Sequence, residues 1–243
     1  VVGSAWASNS KNALLLQVAA WVLLLIIMPK LTANLGTQIY PMEQRTAFGK
    51  ALRSDREKGI DGHNPRDERG KQFEDSLLKK YGVDSLNKLP VNADGLLMQA
   101  DEDYANLVYD KHFARIRNLI QQQNSISKYA SVVNPFLAVR NLSMGLSQSD
   151  YQHQLKFVAD AELYRRYVIN NLNTTMAYGG SKTGDWDWSV DAAYWETVKD
   201  FDYGRPSFNW SVKNYAFEAV MLLLWAVVAA LLFVFTSHKM KIV

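Results

Sequence analysis

The sequence predicts an all-α membrane protein in which two transmembrane helices flank a large helical extracytoplasmic domain. Three observations lead there. The stretch Ala216 to Phe235, AFEAVMLLLWAVVAALLFVF, carries one ionisable side chain, Glu218, near its start. At about 1.5 Å of rise per residue it reaches roughly 30 Å, the thickness of a bilayer's hydrocarbon core. A second apolar run, Ala13 to Met28, has Gln17 as its one polar member. Between the two lies a long charged segment whose apolar residues recur at helical spacing.

In chain order, 1–12 reads as a small, polar cytoplasmic segment and 13–29 as the first transmembrane helix, closed by Pro29 and Lys30. The apolar run is slightly short for a span, so its helix borrows from Ser10 to Asn12 or from Leu31 to Leu35. A cleaved signal peptide is the competing reading. Against it, the run lies well inside the chain, little positive charge precedes it, and PKLTANLG offers no small-x-small cleavage site. In the second transmembrane helix, 213–236, the stretch Ala216 to Phe235 shows no polar face beyond Glu218, with leucine, alanine, valine and phenylalanine all round. Residues 237–243 form a cytoplasmic tail. Lys11 precedes the first span, and His238, Lys239 and Lys241 follow the second. Cationic flanks stay inside, so both ends face the cytoplasm and 30–212 lies outside it.

The middle segment divides into helices. Met42 to Lys58 is a charged amphipathic stretch, followed by the loop GIDGHNP. Asp67 to Tyr81 places Phe73, Leu77, Leu78 and Tyr81 at helical spacing, with Gly82 as its stop. LPVNADG is another turn, and Leu96 to Tyr129 a long helix. Asn134 caps and Pro135 opens the next helix, which ends near Leu146. Ser149 to Tyr178 is the last long helix, capped by Ser149 or Asp150. From Gly179 to Pro206 the chain is loop-like, with one short helix at about Asp191 to Phe201. Trp186, Trp188, Trp195 and Trp210 crowd ahead of the second span. They form either an interfacial belt at the headgroup layer or a cap on the helical domain's core.

Composition removes several function classes. A net charge of +3 is too small to argue for nucleic acid and no basic run supports one, so no nucleic-acid partner is expected. The absence of cysteine excludes disulfides and thiolate metal sites. Asp185, Asp187, Ser189, Asp191 and Glu196 partly match a calcium loop, but Val190 stands where its sharp turn needs glycine. Gly179-Gly-Ser-Lys182-Thr183 resembles a phosphate loop, but Ser181 replaces the required glycine and a helix, not a strand, precedes it. His63, His112, His153 and His238 show no ligand spacing and read as surface or satisfied histidines. Asp101, Glu102, Asp103 and Asp110 read as a solvated acidic patch at the start of the long helix. No paired-carboxylate or serine–histidine–acid pattern can be argued, so neither a catalytic residue, a metal ligand nor a cofactor is expected, and the chain does not read as an enzyme.

One stretch, Asn134 to Arg166, reads NPFLAVRNLSMGLSQSDYQHQLKFVADAELYRR. Its Pro135, Leu142-Ser143-Met144, Ser149-Asp150, His153, Phe157 and Ala161-Glu162-Leu163-Tyr164-Arg165 fall in an order that resembles the helical extracytoplasmic domain of a subset of bacterial type-2 (ABC-2-like) ABC transporter permeases. Leu89-Pro90-Val91-Asn92 and Trp21 to Pro29 are also similar, so the likeness covers most of 13–178. Such permeases have about six spans where two are present here, which implies either the carboxy-terminal portion of a longer permease or a short relative.

The resemblance implies the membrane subunit of an ABC-type export system in the bacterial inner membrane. Its expected partners are a separate cytoplasmic ATPase, a second permease copy or paralogue, and the lipid bilayer. Any ATP hydrolysis belongs to the partner. Arg140, Asp150, His153, Glu162 and Arg165 are its expected structural and coupling network, since charged groups buried between helices seek partners. A two-span receptor or scaffold with an external helical bundle fits the same architecture.

Overall fold

The computed structural model describes residues 2, 7 and 9–239 and shows helices and loops among them, with no strand. Lys241, the rest of the expected tail, and most of the first eight residues lie outside the described residues. Nine α-helices are numbered here in chain order.

Helix α1, Ser10–Ile39, is long and apolar enough to cross a membrane. Asn9 caps it, its side chain accepting the Asn12 N–H at 2.9 Å. The sequence reading closes this helix at Pro29; the structure continues it to Ile39. The reason lies just ahead of the proline. Leu23–Ile27 take a π-helical register, and the Met28 N–H reaches back five residues to the Leu23 carbonyl. In that register the next carbonyl, Leu24, faces Pro29, which has no N–H to give. Asn134 supplies the missing donor: its Nδ2 lies 2.8 Å from the Leu24 oxygen. The other end of the same amide accepts the Phe136 N–H at 3.0 Å and caps the following helix. Asn134 is fully buried. Replacing it with leucine removes a cap and orphans a buried carbonyl, with an expected cost of about 2–4 kcal/mol. A lower melting temperature of the detergent-solubilised chain is the readout, and an unchanged one contradicts this role.

Helix α9, Ala216–Lys239, is the second helix long and apolar enough to span. Leucine, valine and phenylalanine cover its whole circumference, and most stay exposed, Leu223 at 68% and Leu231 at 64%. Two apolar helices therefore flank a helical middle region. Helix α5, Pro135–Leu146, packs along α9, and the short helix α8, Phe208–Asn214, leads into α9 through Tyr215. The turn 131–134 before α5 meets both apolar helices far from their ends. Asn134 bonds Leu24, and the Trp225 indole N–H donates to the Ser131 carbonyl at 3.3 Å.

The chain packs as two units rather than by the linear division into 13–29, 30–212 and 213–236. One unit gathers Val1–Met42, Asn118–Lys156 and Arg205–Val243; the other gathers Glu43–Arg117 and Phe157–Gly204. Two helices, α4 (Ala93–Ala130) and α6 (Tyr151–Tyr178), contribute to both.

In the second unit, α2 (Arg45–Lys58) and α3 (Arg66–Tyr81) pack together around the loop between them. Tyr104 of α4 fixes that loop: its hydroxyl accepts the Ile60 N–H at 2.8 Å, and the Arg69 guanidinium stacks 3.6 Å over its ring. Gly59 is required there, at φ +94°, because a Cβ would meet the Asn64 carbonyl at 2.7 Å. Gly82 ends α3 in the left-handed region, as its stop position demands. Phe48 of α2 packs edge-on against His112 and Phe113.

The glycine-rich loop after α6 has a structural task. Asn92 donates to the Ser181 hydroxyl at 2.8 Å and the Lys182 carbonyl at 2.9 Å, while its own N–H reaches the Ala177 carbonyl. Thr183 accepts the Ala93 N–H and Asn92 accepts the Asp94 N–H, so the start of α4 is capped by Asn92 and by the loop after α6, which Asp94 holds by accepting the Gly184 N–H. The helix α7, Ala192–Thr197, is shorter than the expected Asp191 to Phe201. Past Val198 the chain extends and lays Phe201 and Tyr203 edge-on against Phe157, a packing gain that outweighs another helical turn.

Candidate functional site

Three elements of the first unit converge at the head of α9. Ser147 and Gln148 end α5, and Asp150 caps α6, accepting the Gln152 N–H at 2.7 Å and the His153 N–H at 3.3 Å. Its other oxygen bonds His153 Nδ1, and His153 Nε2 lies 3.1 Å from the Ser211 hydroxyl on α8. The Tyr215 hydroxyl donates to the same carboxylate. Trp210 packs edge-on against the His153 ring at 4.9 Å. Burial alone would raise the Asp150 carboxyl. The donors from Tyr215, His153 and the two backbone N–H groups outweigh it and hold the group below its ordinary value. The connectivity Asp150–His153–Ser211 is that of a nucleophile, base and acid. Ser211 is only 2% exposed, which closes it to a substrate, and the chain of bonds acts as a latch between α6 and α8.

Beside this latch opens a cleft of about 400 Å³. Arg140 and Asn141 of α5, Lys128 of α4, Tyr215 and Glu218 line it. Arg140 donates to the Ser127 hydroxyl at 2.7 Å and to the Asn141 side chain at 3.2 Å. No carboxylate pairs with it among the described residues, and burial lowers its affinity for the proton below the ordinary arginine value. Glu218 is buried, and its Oε2 has no hydrogen-bond partner among the described residues. Gly145 lets the Tyr215 ring lie flat against α5; a Cβ there would overlap the ring.

The five network residues expected from the sequence thus fall into two groups. Arg140, Asp150 and His153 belong to the first unit. Glu162 and Arg165 sit in the second, within a surface network on α4 and α6. Glu162 binds Arg165 at 2.9 Å and Arg166 at 2.9 Å; Arg165 reaches Glu102 at 3.2 Å, and Arg166 reaches Asp110 at 2.6 Å. Of the acidic residues read as a solvated patch, Glu102 and Asp110 are therefore paired, while Asp103 is exposed and accepts the Gln99 amide at 2.7 Å. Asp101 likewise binds Arg66 at 2.9 Å and Arg56 at 3.2 Å. They lie two turns or more inside α4, which starts at Ala93 rather than at Leu96. Of the histidines, His112 and His153 are buried on carboxylates; His63 and His238 are exposed.

The tryptophans are distributed between the units. Trp210 covers His153, Trp188 lines an apolar groove with Met98 and Met176, and Trp186 and Trp195 are exposed. Asp191 of the calcium-like stretch caps α7, accepting the Tyr194 N–H at 2.9 Å. Residues missed by the sequence reading are Ser211, Tyr215, Glu218 as a cleft residue, and Arg166. The pattern Glu162-x-x-Arg165-Arg166, at i+3 and i+4, carried the signal for the last of these.

The ion-pair network makes a pH dependence. Arg165 and Arg166 hold the Glu162 carboxyl below its ordinary value, and Arg166 does the same for Asp110. A carboxyl depressed in the fold stabilises it above the unfolded value, about 4 for these groups, and loses that contribution as pH falls through the folded value. The full chain is expected to melt at lower temperature at pH 3 than at pH 7. Glu162→Gln should shrink that difference; an identical difference in the variant contradicts the assignment.

No curated protein and no solved structure matches the chain. A protein-family signature does match, over residues 45–204. It covers the second unit except Glu43 and Gln44, and it takes in Arg140 of the cleft and Asp150 and His153 of the latch but not Ser211 or Tyr215. The chain belongs to the family described as Domain of unknown function (DUF3526).

Proposed function

We propose that the chain is the membrane subunit, or part of one, of an ABC-type export system that works with a separate cytoplasmic ATPase. The observation that carries this reading is the pair of helices, Ser10–Ile39 and Ala216–His238, whose apolar side chains face outward, on either side of a domain of this family. Domains of the family are often found in proteins associated with ABC-2 transporters. Sequence order in Asn134 to Arg166 supports the same reading.

In this picture both helices cross the bacterial inner membrane, both chain ends lie inside, and the helical middle region lies outside. The turn 131–134 is the exception and sits at membrane depth, where a bare carbonyl is costly; there Asn134 satisfies the Leu24 carbonyl and the Trp225 indole the Ser131 carbonyl. A second copy or a paralogue completes the pathway. Nucleotide-driven closure tilts the spans, and the unbroken 38-residue helix α4 carries the tilt as a rigid body. The latch at Asp150 and the network at Glu162 and Arg165 keep the helices from flexing.

The test is recovery of partners. The tagged full chain, extracted from native membranes in mild detergent, is expected to bring an ATPase with it. Consistent absence of one contradicts the transporter reading. The polar cleft favours a second reading, a two-span receptor or scaffold; a small ligand that raises the melting temperature, with no ATPase recovered, would select it.

A further inference from the structure

The cleft at the head of α9 holds two charges that the fold leaves unanswered. Glu218 is only 3% exposed, yet its Oε2 has no hydrogen-bond partner among the described residues. A buried carboxylate oxygen without a donor is costly, and folds retain one where something outside the chain supplies the donor. Arg140 lines the same cleft and bonds only neutral groups, the Ser127 hydroxyl and the Asn141 amide. Lys128, a third lining residue, places its ammonium 5.5 Å from the centre of the Phe217 ring. Asp150 also lines the cleft, but its oxygens are taken by His153, Tyr215 and two backbone N–H groups, and it forms no ion pair with Arg140 or Lys128 among the described residues. The fold thus keeps a carboxylate and a guanidinium on one cavity without joining them.

We propose that this cleft binds a small zwitterion, with its ammonium on Glu218 and its anionic oxygens on Arg140 and Lys128. Size agrees: about 400 Å³ lies within the range of small-molecule sites. The chemistry selects a primary ammonium, which can donate to the lone carboxylate oxygen, over a quaternary one, which has no N–H to give. The anionic end suits a guanidinium, which grips paired oxygens in one plane. Two sources carry that chemistry: the head group of phosphatidylethanolamine and free phosphoethanolamine. Glu218 stands on the first turn of an apolar helix, and the exposed Met144 of α5 also lines the cleft, so a lipid tail would have an apolar path alongside. Binding rests on the cavity alone, so its outcome is separate from the recovery of an ATPase.

The experiment uses the full chain. In one arm it is reconstituted into phosphatidylglycerol nanodiscs with and without phosphatidylethanolamine, and retained lipid is counted by native mass spectrometry after detergent release. In the other, delipidated chain in detergent is titrated with phosphoethanolamine, with ethanolamine and inorganic phosphate as single-charge controls, and the melting temperature is read. Expected is saturable binding of the zwitterion in at least one arm. In the free-ligand arm the zwitterion should bind at least about tenfold more tightly than either control. Binding only in nanodiscs assigns the head group, and binding in detergent assigns the free molecule. Glu218→Gln and Arg140→Gln should each weaken binding at least about tenfold. Glu218→Gln keeps the shape and removes a buried charge, so its unliganded melting temperature should not fall. Should it fail to fold, Arg140→Gln and the single-charge controls carry the test. Absence of saturable binding in both arms, equal binding of the controls, or unchanged binding in the variants overturns the proposal.

Discussion

Asp150→Ala is expected to lower the stability of the fold by about 3–5 kcal/mol, because it orphans several buried hydrogen-bonding groups at once. One carboxylate here closes four bonds. It caps α6 through the Gln152 and His153 N–H groups, holds His153 Nδ1, and accepts the Tyr215 hydroxyl. Removing it takes the partner from the Nδ1 of a 4% exposed histidine and from a tyrosine hydroxyl. In a chain of this length the loss corresponds to a melting temperature lower by roughly 10 °C. Asp150→Asn keeps the cap, so it should recover about 1 kcal/mol of the loss. A melting temperature within a degree or two of the parent in both variants would show that the latch contributes little.

The second large effect is expected at Gly95. A Cβ built there meets the Ala177 amide nitrogen at 2.6 Å and the Asn173 carbonyl oxygen at 2.7 Å. These are backbone atoms of α6, so no rotamer change relieves the overlap, and α4 and α6 must move apart. Moving apart breaks the bonds from Asn92 to Ser181, Lys182 and Ala177 and from Ala93 to Thr183. Gly95→Ala should cost about 3 kcal/mol or more, at the upper end of overpacking effects. Gly70→Ala, where a Cβ meets nothing within 4 Å, is the matched control and should be neutral or slightly stabilising. Equal effects at the two sites would contradict the close approach.

Helical periodicity made much of the fold legible. The two apolar runs, the stop at Gly82, the Asn134-Pro135 start and the Asp150 cap all follow from local rules that need no tertiary partner. What was not legible depends on distant residues. Pro29 reads as a terminator because the rule is local; its rescue comes from Asn134, more than a hundred residues later. Asp101, Glu102 and Asp110 of α4 read as solvated because their arginine partners lie on other helices. The latch escaped notice because Ser211 stands far from His153 in sequence. Glu218 stood out at once as the one charge in an apolar run, but nothing in the sequence placed it on a cleft with Arg140. The division into two units was hidden for the same reason, since α4 and α6 each pass through both.

On the proposed reading, two apolar helices cross a membrane and hold the helical middle region on its far side. The chain has no cysteine, so single reporters can be placed at will. Ser76, exposed on α3, and Ser237, exposed near the end of α9, are suitable sites. A membrane-impermeant maleimide applied to intact cells should label Ser76→Cys and spare Ser237→Cys until the membrane is permeabilised. The reverse pattern, or a chain recovered in the soluble fraction without detergent, would contradict the account.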